Sequence, residues 1–143
     1  MILQQISVFV ENRAGQLSEL TGLLAENGID MRALNIAESA DYGVLRLIVS
    51  DPAKTQALLQ QTGYPANVTP VVAAAVPDRP GGLHEMLCLL AEKDVNVSYM
   101  YSIFGNKNGQ AQMIFRVDDP EAAEQVLSDG SIRTEVTADL GIE

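Results

Sequence analysis

The sequence predicts an α+β chain built from two tandem βαββαβ units, each an antiparallel sheet with both helices on one face. Three observations lead there. The chain repeats itself at an offset of 66 residues. Within each copy the apolar spacing switches between a strand period and a helix period. An Asp-Pro pair then marks the start of a second helix in each copy, at Asp51-Pro52 and Asp119-Pro120.

The elements follow in order. Ile6, Val8 and Val10 alternate with Gln5, Ser7 and Glu11, the pattern of a strand with one covered face. Leu17, Leu20 and Leu24, with Leu23 flanking, take up helical spacing, and Leu83, Met86 or Leu87, and Leu90 answer them in the second copy. Gly28 ends the first helix, and residues 30–38 return as a second strand. Asp41-Tyr42-Gly43 is the expected turn into a third strand carrying Leu45, Leu47 and Val49, matched by Met113, Phe115 and Val117. Pro52 and Pro120 suit the first turn of a helix, each behind an Asp able to cap it. Leu58 and Leu59, or Val126 and Leu127, supply the apolar side of that helix. The nearly continuous apolar run from Val68 to Val76 serves as the last strand of one copy and the first of the next, with Pro70 at the division. Domains of residues 1–69 and 70–143 follow, each in the ferredoxin-like βαββαβ order. Because that fold hosts many unrelated activities, function has to be read from a site.

Composition narrows the classes. With nineteen acidic and nine basic residues the net charge is −10, which opposes nucleic acid and anionic lipid as partners, since both need clustered Lys and Arg. The single cysteine, Cys88, excludes an intrachain disulfide or a CxxC site and reads as a small buried hydrophobe in Leu87-Cys88-Leu89-Leu90. Neither a signal peptide nor an apolar run long enough for a membrane span is evident, so the cytoplasm is the expected compartment. Copies of about 70 residues bury only about 60% of their unfolded surface, so association, as a homodimer, is expected.

The most tightly repeated segment is the junction of strand one and helix one. Val10-Glu11-Asn12-Arg13-Ala14-Gly15-Gln16-Leu17 aligns with Val76-Pro77-Asp78-Arg79-Pro80-Gly81-Gly82-Leu83. Asn12 and Asp78 are suited to cap a helix start, and Gly15 and Gly81 to adopt backbone conformations that a side chain forbids. Unpaired N–H groups at such a start, with the helix dipole, favour an anion such as a carboxylate. The bland alternative is that these residues only cap, turn and pack. A second polar landmark, Asp30 or Asn96, opens strand two in each copy, where it is expected to face the loop of a neighbouring unit.

These residues, with the Leu-Leu-Ala-Glu helix and Gly28-Ile29-Asp30-Met31 or Val95-Asn96-Val97, resemble the ACT domain, a regulatory amino-acid-binding module, over essentially the whole chain. The resemblance implies a free amino acid held at the interface between paired units and a regulated metabolic enzyme as partner. It implies contacts from Asn12, Ala14, Gly15, Gln16 and Leu17 with Asp30 in one half-site. The other half-site draws on Asp78, Pro80, Gly81, Gly82 and Leu83 with Asn96. Backbone N–H groups of the glycine loops would take the carboxylate, and Asp30, Asn96 or Asp78 the ammonium. Neither catalytic residues nor a metal or cofactor are implied. Ala14 stands where the family usually has proline, and Gly81-Gly82 is expected to make the second loop looser still.

Arg13 and Arg79 read as solvated loop residues, Tyr99 and Tyr101 as strand residues, and His84 as a surface residue. Two other classes compete: a small acylphosphatase-like hydrolase using a loop Arg and a strand Asn, and a structural oligomerisation module that answers to no ligand.

Overall fold

Strand formation follows the apolar alternation closely in the computed structural model, which describes residues 1–134, with the backbone alone at 104–107. The element order is β1 (Ile2–Glu11), α1 (Gln16–Glu26), β2 (Met31–Glu38), β3 (Tyr42–Val49), α2 (Pro52–Gln61) and β4 (Ala66–Pro77). Then come α3 (Gly82–Glu92), β5 (Val97–Lys107), β6 (Gln110–Val117) and α4 (Pro120–Asp129). The chain divides into two compact units, Gln4–Thr69 on one hand and Met1–Leu3 with the described residues from Pro70 on the other. Strand β4 carries the chain across the division without a linker.

In the first unit the strands lie in the order β2-β3-β1-β4, antiparallel between β2 and β3 and between β3 and β1. Ile6, Val8 and Val10 of β1 and Leu45, Leu47 and Val49 of β3 form one core with Leu20 and Leu24 of α1 and Leu59 of α2, which sets both helices on the same face. The packed strip of α1 is Gln16, Leu20 and Leu24, and Leu17, assigned to that strip by spacing, is instead 42% exposed. The strip is an i, i+4, i+8 line beginning at the first helical residue, and Leu17 falls beside it.

The second unit repeats the arrangement with β4-β6-β5 and a core of Val72, Ala74 and Val76 against Met86, Leu90, Phe115 and Leu127. On the side of β4 away from β6, the amide of Ala73 donates to the carbonyl of Met1 (2.8 Å) and that of Ala75 to the carbonyl of Arg133 (2.8 Å). The first three residues therefore belong structurally with the distant half of the chain. The fourth strand expected of the second copy lies outside the described residues apart from the bridge of Arg133 to Ala75. Every residue from Val71 to Val76 is buried, so both faces of β4 are covered there and the sequence shows an unbroken apolar run instead of alternation.

Local signals at the second helices hold in detail. Asp51 and Asp119 are the N-caps of α2 and α4, accepting from the amides of Lys54 (2.9 Å) and Ala122 (3.0 Å), with proline following each. The β2–β3 turn falls at residues 39–41, earlier than the expected Asp41-Tyr42-Gly43. Gly43 is already a strand residue, paired with Val10, with the side chains of Val10 and Ile36 closing over it. Between β5 and β6, Asn108 and Gly109 both take positive φ (56° and 70°), the two-residue hairpin turn suited to Asn-Gly.

Candidate functional site

Each β-strand that begins a unit runs into a short loop whose last residue is a left-handed glycine: Gly15 at φ 85° before α1, and Gly81 at φ 86° before α3. Neither helix has a side-chain cap, which corrects the reading of Asn12 and Asp78 as capping residues. The Asn12 amide side chain instead donates to the carbonyl of Ser39 (3.2 Å), and its backbone N–H to that of Asp41 (3.2 Å). Asp78 makes the equivalent backbone bond to Gly109 (2.9 Å). Each loop is thus tied to the hairpin beside it; the first amide of each helix is already taken, Gln16 donating to the Arg13 carbonyl (3.4 Å) and Gly82 to that of Arg79 (3.0 Å), which leaves the next two amides without intrahelical acceptors.

The loop arginines are both paired to carboxylates. Arg13 pairs with Glu11 (2.7 Å) and with Glu19 in the first turn of α1 (3.3 Å), and these hydrogen bonds, Glu11 foremost, raise its pKa further above the ordinary guanidinium value. Arg79 makes a two-pronged contact with Glu85 (2.9 and 2.8 Å) and donates to the carbonyl of Pro80 (3.3 Å). Glu19 and Glu85 recur at the same 66-residue offset as the arginines, a signal present in the repeat that residue-type reasoning passed over.

The strand-opening residues lie elsewhere. α1 has 11 residues, so Asp30 at its far end stands about 16 Å along the helix axis from Gly15. The Asp30 carboxylate pairs with Arg32 (2.7 Å), and its amide donates to the Ser50 hydroxyl (3.1 Å). Asn96, exposed at the matching end of α3, borders a recess of about 270 Å³ with Lys93, Asp118 and Asp119. Within one unit, therefore, Asn12, Ala14 and Gly15 come together, as do Asp78, Pro80 and Gly81, but Asp30 and Asn96 do not join them.

The model of the ACT domain pair matches residues 1–139. This chain belongs to the ACT domain pair family. Among solved structures, the ACT pair is similar to protein BT0572 from Bacteroides thetaiotaomicron, with 38% identity over 93% of this chain and 91% of that one and a TM-score of 0.87. It shares its fold with the regulatory subunits of aspartate kinase from Thermus thermophilus and Thermus flavus. For the first of these the identity is 15%, covering 88% and 90% of the two chains, with a TM-score of 0.63. For the second it is 14%, covering 92% and 95%, with a TM-score of 0.58. No curated protein sequence matches the chain.

The two loops of this ACT pair are not equivalent. A Cβ placed on Gly15 would meet open space, whereas one on Gly81 would lie 3.9 Å from the Arg79 guanidinium, which folds back over the loop. A Cβ on Gly82 would sit 2.0 Å from the carbonyl oxygen of Pro77. The second loop is therefore tighter than the first, contrary to the expectation from two adjacent glycines: Gly82 serves close approach, not freedom of rotation. At the equivalent place in the first unit Gln16 is 95% buried and donates to the Tyr64 hydroxyl (3.2 Å), which donates in turn to Glu19 (3.1 Å). Partial burial, then the bond to Glu19, raises the Tyr64 pKa above its ordinary value.

Phe9, Glu11, Gln16, Tyr42, Tyr64 and Pro65 line a recess of about 330 Å³ at this end of the first unit. Of these only Gln16 stood among the sequence candidates. Leu83 is partly buried and Leu17 exposed, so neither loop leucine is a fully packed core residue. Cys88, read as buried, is half-buried with its Sγ 3.5 Å from Nε2 of the exposed His84. Among the described residues no helix is long and apolar enough to cross a membrane.

Proposed function

We propose that this ACT pair is a non-catalytic regulatory protein that binds a free amino acid at its glycine loops and passes the bound state to a partner enzyme. Family membership supports the regulatory role. The observation that carries the ligand is the left-handed Gly15 ahead of the uncapped start of α1, with open space beside it. Backbone N–H groups and the positive end of the helix dipole converge there on a position suited to a carboxylate. Asp30 stands at the other end of its own unit, so a second copy of the chain would have to bring such a residue to the loop. A homodimer with the ligand between units meets that requirement, and it gives the ligand a direct hold on the arrangement of the pair.

The hydrolase alternative needs a loop guanidinium facing a phosphate, and in both copies that guanidinium is already paired to a carboxylate. The test is a thermal-shift screen of the full chain against the twenty amino acids. A ligand at about 100 times its Kd adds about 2.7 kcal/mol to the folded state, a shift of several degrees. Val substituted at Gly15 is expected to abolish the shift. Absence of any shift across the panel refutes the reading and leaves the structural oligomerisation module, whereas turnover of an acyl phosphate would favour the hydrolase.

A further inference from the structure

The recess beside Gly15 carries more information than the loop itself. Successive residues of β1 point to opposite faces, so with Ile6, Val8 and Val10 turned to the helices, Phe9 faces away from them. Tyr42 stands opposite Glu11 on that same face, diagonal to Phe9, which pairs with Val44. Phe9 is 39% and Tyr42 53% exposed, the two exposed aromatic residues among the described strand positions of this unit, alongside the aliphatic Leu34 and Ile36 of β2. Tyr64 completes the wall, and its ring is held in place by hydrogen bonds from Gln16 and to Glu19. Three aromatic residues lining one recess offer it apolar surface, and ring-on-ring contacts are worth about 0.5–1.5 kcal/mol beyond the area they cover.

Size and charge narrow the occupant. A volume of about 330 Å³ is at the low end of small-molecule sites and matches a single amino acid. The one carboxylate at the mouth, Glu11, is neutralised by Arg13 at 2.7 Å, so the lining offers rings and amide dipoles without a free charge. A flat, uncharged side chain matches this surface better than an aspartate.

The second unit provides an internal control. Its register identifies the counterparts: Ala75 faces Gln112 as Phe9 faces Val44, and Gln110 lies opposite Pro77 as Tyr42 lies opposite Glu11. The bond from the Phe9 amide to Pro65 recurs from Ala75 to Arg133, which sets Ile132 in the place of Tyr64. At these matching positions among the described residues none of the three is aromatic, and Gly82 replaces Gln16.

We propose that the first unit binds an amino acid with an aromatic side chain, its ring in the recess formed by Phe9, Tyr42 and Tyr64 and its carboxylate at the start of α1, and that the second unit has no such site. The inference rests on the amino-acid-sensor reading above and adds the ligand class and a stoichiometry of one per chain.

The test is isothermal titration calorimetry of the full-length protein with each of the twenty amino acids, followed by Phe9→Ala and Tyr42→Ala, both at exposed positions and checked for fold by circular dichroism. Phenylalanine, tyrosine or tryptophan is expected to bind at one per chain, and each substitution to weaken that binding about tenfold. Binding confined to a non-aromatic amino acid overturns the ligand class while leaving the sensor reading intact. Aromatic binding that neither substitution affects, or that saturates at two per chain, overturns the recess assignment. Failure of every amino acid to bind overturns both.

Discussion

Replacing Gly82 with alanine tests whether the tight second loop is a real constraint. The new Cβ would lie 2.0 Å from the Pro77 oxygen and 3.1 Å from its carbon, both backbone atoms, so α3 or the end of β4 must retreat by about 1 Å to restore a 3.0 Å contact. Overpacking of this kind costs about 1–3 kcal/mol, with the upper end expected where no flexible side chain can give way. Alanine returns part of that through helix propensity and a less mobile unfolded chain, about 0.5–1 kcal/mol. The net loss is about 2 kcal/mol, or a fall in Tm of about 6 °C for a chain of this size. The paired control is Gly15→Ala, where open space leaves only the cost of a non-glycine residue at φ 85°, about 1 kcal/mol after the same offset. Urea unfolding of both variants, with thermal melts alongside, gives the comparison. A Gly82→Ala protein as stable as the parent, or less affected than Gly15→Ala, would show that the loop relaxes freely and would refute the close-approach argument.

Three further outcomes are expected. Asp51→Ala and Asp119→Ala should each lower stability by about 1 kcal/mol through loss of the caps on α2 and α4, with Asn at either position restoring most of it; unchanged urea midpoints would contradict the cap assignment. Tyr64 binds its proton more tightly in the folded state, so its contribution to stability is complete below its ordinary value of 10.0 and drains away as the pH rises through that value and beyond. As the pH rises past 10.0 the parent should therefore lose stability more steeply than Tyr64→Phe, and parallel curves would refute the hydrogen-bonded phenol. Deleting Met1–Leu3 removes the acceptor of the Ala73 amide and the terminal ammonium paired with Glu124. Faster hydrogen exchange at Ala73, with the amides of β3 unaffected, is the expected signature, and slow exchange at Ala73 would contradict the pairing.

Much of the fold was legible because its signals are local. Asp-Pro caps a helix wherever it occurs, since the carboxylate reaches an amide three residues on, and alternation of Ile6, Val8 and Val10 needs only one covered face. The glycine loop was legible for the same reason: φ near +85° is a property of one residue. Leu17 was misplaced because helical spacing defines a stripe but not its edges, and one residue of rotation moved the packed line to Gln16, Leu20 and Leu24. The recess was invisible because Phe9, Tyr42 and Tyr64 come from three separate segments and only the strand register makes neighbours of them.

The sequence by itself determined the duplicated βαββαβ order, the second-helix caps, the left-handed glycines and the family, all carried by residues within a few positions of one another. Tertiary structure decided that Asn12 ties down a hairpin instead of capping a helix, that Gly82 is a point of contact instead of a hinge, and that Asp30 stands a helix length away from Gly15. It also decided that the two copies differ beside the loop, where Phe9, Tyr42 and Tyr64 in the first unit give way to Ala75, Gln110 and Ile132 in the second. The physical reason is distance along the chain: capping and backbone conformation act over three or four residues, whereas a binding surface is assembled by pairing strands dozens of residues apart.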